Sequence, residues 1–206
     1  YEGYKDLEFI HFEKTLEISG VQFLERLITS IRDKKVLKIY YHPYYEDKPY
    51  FIDVHPYILG EYKFRWYLIG LNAFKNQIRT YALDRMRDVR EAEDIPYIER
   101  RFKADEYFKH SIGIISPEGE PPLIKAAIQK TQAQYLISQP WHASQNIVEE
   151  TDEEIVFSFR AHPTYEFKSL LLGLGKDALV LEPPSLREDI QKELAEMVNR
   201  YGTSGA

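Results

Sequence analysis

Two stretches of the sequence bring together residue types able to hold an anion. Phe64-Arg65-Trp66-Tyr67-Leu68-Ile69-Gly70 is followed, after a short polar break, by Ile78-Arg79-Thr80-Tyr81-Ala82-Leu83-Asp84-Arg85. An arginine fork matches two phosphate oxygens at once, and a tyrosine ring stacks on a base and donates its hydroxyl. If both stretches are strands, alternation sets Arg65, Tyr67 and Ile69 on one face, with Trp66 and Leu68 on the other. In the next strand Arg79, Tyr81 and Leu83 share a face. Neighbouring strands of this kind offer two arginines and two tyrosines to an oligonucleotide or another phosphate-bearing ligand. The same residues admit a structural reading, in which Trp66, Leu68 and Leu83 are core and the arginines pair with Asp84 and Asp88. Chemistry alone leaves both open.

The charge distribution favours a local anion site over a whole-surface one. The net charge is −6 over 206 residues. A free-standing binder of duplex DNA is usually basic. From Glu61 to Arg90, however, seven basic residues face three acidic ones, so this segment carries +4 and the rest −10. Such a field holds an anion locally and repels it elsewhere.

The elements that must position these residues follow from periodicity. Ser19 and Gln22 have capping-box spacing, and Val21, Leu24, Leu27, Ile28 and Ile31 recur at helical intervals, predicting a helix over 20–34. Five strands follow, at 36–41, 50–59, 65–71, 77–83 and 86–92, with Pro56 marking a bulge or an edge. One helix and five short sequential strands predict a small closed or half-closed β-barrel. The second half predicts strands at 124–129, 141–148, 154–160 and 178–181. Helices are expected at 131–138, from a Thr164 cap to Leu172, and from a Ser185 cap to Tyr201. The order βαββαβα is that of a ferredoxin-like unit. The class is therefore α+β. The divisions are a connecting segment 1–18, a barrel domain 19–95, a linker 96–109 and a second module 110–206.

Other chemistries have little support. The chain has no cysteine, which excludes disulfides and thiolate zinc sites. It has no H-E-x-x-H, P-loop or G-x-S-x-G motif, so no enzymatic activity, metal or cofactor is expected. Gly173-Leu174-Gly175-Lys176-Asp177-Ala178 matches a dinucleotide fingerprint, but it lies between a helix and a strand in the wrong order, so it reads as a helix stop. The run Glu149 to Glu154 reads as a solvated hairpin turn. Of six histidines, His55 is the one placed beside the barrel strands. No apolar run approaches the roughly 18–20 residues that span a bilayer, and no signal peptide opens the chain, so a cytoplasmic protein without membrane contact is expected.

Trp66-Tyr67-Leu68, with His55-Pro56-Tyr57 before it and Arg79-x-Tyr81-x-Leu83-Asp84-Arg85 after it, closely resembles the WYL domain of bacterial transcription regulators. Pro140-Trp141-His142-Ala143-Ser144-Gln145, the helix ending Leu172-Gly173-Leu174-Gly175, and Val180-Leu181-Glu182-Pro183-Pro184-Ser185-Leu186-Arg187 resemble the WCX extension that often follows it. The likeness runs from about residue 20 to 195. It implies an Sm-like or SH3-like barrel that senses a nucleotide or nucleic-acid effector, a homodimer, and an N-terminal helix-turn-helix that binds operator DNA. The family's motif arginines fall on Arg79 and Arg85 and its motif tyrosine on Tyr67, while Tyr81 stands where phenylalanine is common. Ile52 and Ala82 occupy positions that are often basic, and Lys63 and Arg65 are candidates to compensate. The expected ligand set is thus Arg79, Arg85, Tyr67, Tyr81, Arg65, Lys63 and His55.

The chain opens on Tyr1 and shows no second helix joined by a short turn, so the DNA-binding domain is expected upstream. The alternative function is a stand-alone barrel that binds single-stranded nucleic acid. The aromatic stretches 1–23 and 97–108 are expected to pack across a two-fold dimer or between the modules.

Overall fold

The computed structural model describes residues 19–101 and 103–202, which divide into two units, 1–102 and 103–206. The fold is α+β, with one antiparallel sheet in each unit.

In the first unit a 3-10 turn, Val21–Phe23, leads into α1, Leu24–Arg32. Strands follow at β1 (Leu37–Tyr41), β2 (Tyr50–Tyr62), β3 (Arg65–Asn72), β4 (Gln77–Ala82) and β5 (Met86–Glu91). Their order in the sheet is β4-β3-β2-β1-β5, so the two edge strands are joined through a single 3-10 turn, Leu83–Arg85. Alternation fixes the core. Leu37 and Ile39 on β1, Val54 on β2, Leu68 on β3 and Leu83 turn inward and meet Leu27 of α1. Val21 and Ile28, grouped with that helical stripe on spacing alone, are exposed.

The expected Ser19 cap does not form. The 3-10 turn that leads into α1 instead follows Gly20, which has φ +90° and makes no side-chain cap. A Cβ there would stand 2.4 Å from the Leu83 carbonyl carbon. Close backbone packing, not capping, sets where the helix starts. The β2–β3 hairpin turns through Lys63 and Phe64, both at positive φ, with Glu61 Oε1 accepting the Phe64 N–H at 2.6 Å. The bulge expected at Pro56 is present, as a register shift between Pro56 and Ile58. Gly70 lies opposite it, because a Cβ would come within 2.5 Å of the His55 carbonyl oxygen.

The outer face of β2 and β3 is covered from within the same unit. Tyr97 donates its hydroxyl to the Pro56 carbonyl at 2.8 Å, and the Ile98 N–H donates to His55 Nδ1 at 3.1 Å. Tyr97, the first residue of the stretch 97–108 expected to pack across a dimer or between modules, thus serves its own sheet. The part of that expectation at 1–18 lies outside the described residues.

In the second unit the order is α2 (Ala104–Phe108), β6 (Leu123–Gln129), α3 (Lys130–Ser138), β7 (Asn146–Glu150), β8 (Glu154–Arg160), α4 (Tyr165–Leu174), β9 (Ala178–Glu182) and α5 (Pro184–Gly202). The expected βαββαβα succession is present, and the sheet runs β7-β8-β6-β9. Ile155, Phe157 and Phe159 of β8 stand across from Ile128, Ala126 and Ile124 of β6, and all six are buried. Thr164 caps α4 as expected, its Oγ1 accepting the Phe167 N–H at 3.2 Å. The glycine-rich segment does stop a helix: α4 ends at Leu174 with Gly175 at φ +58°. The acidic run is the β7–β8 turn, where Thr151 Oγ1 accepts the Glu154 N–H at 3.0 Å.

Three expectations need correction here. The linker 96–109 contains a helix, α2. The last helix starts at Pro184, not after a Ser185 cap; proline suits a first helical position because its missing N–H would be unsatisfied there. The strand expected over 141–148 begins only at Asn146. Residues 141–145 are a loop held by side chains. Gln145 Oε1 accepts the Trp141 N–H at 3.0 Å and its Nε2 donates to the Leu136 carbonyl at 2.8 Å. Ser144 Oγ accepts the Arg160 N–H at 2.9 Å and pairs with His142 Nδ1 at 2.8 Å. Trp141 is thereby laid against Phe159, ring centroids 6.0 Å apart. His142 and His162 both have lowered pKa values, chiefly through burial; the Lys109 backbone partly offsets this for His142, and His110 lowers both further.

Candidate functional site

Register decides which motif residues meet. Across β3 and β4, Leu68 pairs with Tyr81 and Gly70 with Arg79, on the face that lines the core. Tyr67 pairs with Ala82 and Ile69 with Thr80, on the opposite face. Arg65 and Tyr67 therefore do not share a face with Arg79 and Tyr81. The single constellation expected from alternation is two clusters.

The first cluster sits at the open end of the core face. Arg79 is exposed, and its guanidinium donates to Gln77 Oε1 at 2.6 Å. Beside it Tyr81 is buried, and its hydroxyl accepts from Asn72 Nδ2 at 2.9 Å. Asn72 Oδ1 also accepts the Lys75 N–H at 2.7 Å, so one residue ties the β3–β4 turn to the tyrosine. Burial pushes the Tyr81 phenol up to about 12, with the nearby positive charge of Arg79 pulling the other way. The phenol thus stays protonated at any physiological pH.

The second cluster gathers around the Leu83–Arg85 turn. Arg65 Nε lies 3.0 Å from Asp84 Oδ2, and Arg85 Nε lies 3.9 Å from Asp84 Oδ1. The Asp84 side chain is only 11 % exposed, and those of Arg85 and Arg65 are 25 % and 46 % exposed. Tyr44, on the β1–β2 loop, places its ring 4.3 Å from the Arg85 guanidinium carbon and donates its hydroxyl to Asp84 Oδ2 at 3.3 Å. Burial opposes the charge on Arg65, yet its pKa is raised overall, because Asp84, Tyr67 and Tyr44 stabilise the cation.

Tyr41 joins the clusters. Its ring meets Tyr81 edge-on at 5.4 Å, and its hydroxyl accepts the Ala82 N–H at 3.2 Å. Its pKa is raised by burial, an effect that Arg85 beside it partly offsets. The continuous path is Arg79, Tyr81, Tyr41, Arg85. A cation stands at each end of two buried neutral rings. Each arginine can pair with an anionic group, while the rings between them are buried.

The remaining candidates lie elsewhere. His55 is 1 % exposed, and its ring serves the Ile98 backbone on the outer face of the sheet. Its pKa is lowered first by burial and then by Arg100. It has a structural partner and no path to the arginines is formed through it. Lys63 sits at the hairpin tip with its ammonium 5.5 Å from the Tyr62 ring centroid. Ile52 and Ala82 are both buried, so the cationic character of the site rests on Arg65, Arg79 and Arg85. Tyr41, Tyr44 and Asn72 escaped the sequence reading. Tyr41 carried a signal, since it continues the inward alternation of Leu37 and Ile39. Among the described residues no group of three or more His, Asp or Glu is arranged to hold a metal, and no helix is long and apolar enough to cross a membrane.

Comparison with known proteins gives the chain its family. Residues 22–91 match the family model of the WYL domain, and residues 120–198 match that of the WCX domain. No curated protein matches. Among solved structures, one described as a CRISPR Cas-related protein is similar, with 16 % identity and a TM-score of 0.53 over 91 % of this chain and 53 % of that one. Proteasome accessory factor B/C of Arthrobacter aurescens matches with 16 % identity and a TM-score of 0.36, over 91 % of this chain and 28 % of that one. The chain thus spans about half or less of these solved chains. It belongs to the WYL-domain proteins, with a WYL domain followed by a WCX domain.

Proposed function

We propose that this chain is the effector-sensing and dimerising region of a transcription regulator. It takes up a nucleotide or a short nucleic acid, and so controls operator binding by a helix-turn-helix domain of the longer protein. The observation that carries this reading is the path Arg79, Tyr81, Tyr41, Arg85, in which two cations flank two buried neutral rings. Such a site suits a phosphorylated base: the arginines match phosphate oxygens, and the exposed Tyr44 ring beside Arg85 offers a stacking face.

Arg79 is the decisive residue, because it is exposed and its hydrogen bond among the described residues is to Gln77. Arg79→Ala should leave the melting temperature within about a degree, since exposed substitutions usually change stability by less than about 0.5 kcal/mol. It should weaken binding of fluorescein-labelled oligo-dT or of a cyclic nucleotide by about 1–3 kcal/mol, and the residual binding should depend less on salt. Fluorescence anisotropy across a salt series measures both. An Arg79→Ala protein that binds these probes as tightly as the parent would remove the site from consideration.

Self-association is the second part of the proposal. The later turns of α5 leave Leu194, Met197, Val198 and Tyr201 exposed at i, i+3, i+4 and i+7 spacing. An apolar stripe of this kind suits an antiparallel partner helix from a second copy. Light scattering should give a dimer mass at micromolar concentration, and Leu194→Glu with Val198→Glu should lower it. A monomer mass that holds up to high micromolar protein would refute the dimer.

A further inference from the structure

We infer that Asp84 acts as an internal stand-in for the effector's anionic group, and that its displacement is relayed through the Leu83–Arg85 turn to Gly20, just before the first helix. The inference rests on the effector reading above and adds to it how the site reports occupancy.

Three observations carry it. The first is an unfinished ion cluster. Two arginines share one carboxylate, and the sharing is unequal: Arg65 is in hydrogen-bond reach of Asp84 and Arg85 is not. Arg85 Nε and Asp84 Oδ1 are both buried without a hydrogen-bond partner. A buried N–H without an acceptor is costly, and a charged one more so. An incoming phosphate oxygen would satisfy the Arg85 N–H, which Asp84 leaves at 3.9 Å.

The second is a cover that can swing aside. Tyr44 lies over Arg85 and hydrogen-bonds Asp84, yet the residue is 72 % exposed and sits on the β1–β2 loop. It screens the arginine from water while the carboxylate is in place. With a base present, the same ring offers a stacking surface.

The third is the position of the turn. Asp84 and Arg85 belong to a three-residue 3-10 turn whose backbone presses on Gly20. A Cβ on Gly20 would stand 2.4 Å from the Leu83 carbonyl carbon and 2.7 Å from the Asp84 nitrogen. The Arg85 carbonyl also accepts the His42 N–H at 3.0 Å, which ties the turn to the base of the Tyr44 loop. An anion at Arg65 and Arg85 repels the Asp84 carboxylate. The turn cannot shift to release it without moving against Gly20.

The test uses inorganic pyrophosphate and labelled oligo-dT as probes. Asp84→Asn keeps the shape and removes the competing charge, so it should bind both probes about tenfold more tightly than the parent. Its melting temperature should fall without pyrophosphate and recover with it by more than the parent's rises. Tyr44→Phe frees Asp84 from one hydrogen bond and keeps the ring, and should tighten binding two- to threefold, on the scale of one weak exposed hydrogen bond. Hydrogen exchange at the amides of residues 20–24 should change on probe saturation in the parent, and should already be altered in probe-free Asp84→Asn.

Suppose the parent binds the probes and loses them on Arg85→Ala, yet neither Asp84→Asn nor Tyr44→Phe binds more tightly. The stand-in role is then overturned and the effector site survives. Tighter binding with unchanged exchange at 20–24 overturns the relay. If neither the parent nor Asp84→Asn responds to either probe, the effector reading falls together with the inference.

Discussion

Replacing Phe159 with alanine should destabilise the second unit by about 3–5 kcal/mol, a large fraction of the roughly 5–15 kcal/mol that holds an ordinary domain folded. Phe159 is fully buried on β8. Its ring meets Trp141 nearly parallel at 6.0 Å and Phe167 edge-on at 5.4 Å. Phe157 lies 6.4 Å away on the same strand face. These four rings come from three places in the chain: the 141–145 loop, β8 and α4. Deleting the one that touches the other three leaves a cavity that no single neighbour can fill, because Phe167 is anchored by its capped helix and Trp141 by Gln145. The loss is therefore the transfer energy of the ring plus the cavity. One tryptophan belongs to each unit, Trp66 to the first and Trp141 to the second. In a Trp66→Phe background, Trp141 fluorescence during thermal unfolding reports the second unit alone. A Phe159→Ala transition within a few degrees of the parent's would show that the cluster is not the keystone of this core.

Strands were largely legible because alternation, clearest on β1, encodes which face is buried. The 141–145 loop was not. Its shape comes from hydrogen bonds to Leu136 and Arg160, partners that a local pattern does not contain. The site was legible in its residue types but not in its grouping. Alternation within one strand says which residues share a face, and only cross-strand register says whether two strands turn those faces to the same side. The β3–β4 connection supplies that register. Asn72 pairs with Gln77, and counting back along both strands brings Leu68 to Tyr81. Three more steps of the same count, past the last paired residues Tyr67 and Ala82, bring Arg65 to the level of Asp84, the ion pair the structure contains. Hairpin length thus carried the grouping, and it separates Arg65 from Arg79. Tyr44 had no such signal, since a loop residue has no period to follow.

Gly20→Ala should cost about 2–4 kcal/mol, a large penalty for adding one methyl group. Two effects act together. At φ +90° an L-residue is strained, and that alone is worth about 1 kcal/mol against glycine. The added Cβ would also fall 2.4–2.7 Å from three backbone atoms of Leu83 and Asp84. Backbone cannot rotate out of the way as a side chain can. Either the helix start or the Leu83–Arg85 turn must move. Leu83 is fully buried in the first core, and the Ala82 N–H beside it is held by the Tyr41 hydroxyl, so movement there disturbs packing as well. The expected result is a lower melting temperature of the first unit, read by Trp66 fluorescence in a Trp141→Phe background. A displaced turn also disturbs the Asp84 contacts with Arg65 and Arg85, so the folded Gly20→Ala protein should show altered affinity for oligo-dT, although a Cβ at residue 20 would meet only the backbone of that turn. Gly20→Ala with parental stability would mean that the contact with Leu83 yields freely, and a contact that yields freely transmits no displacement.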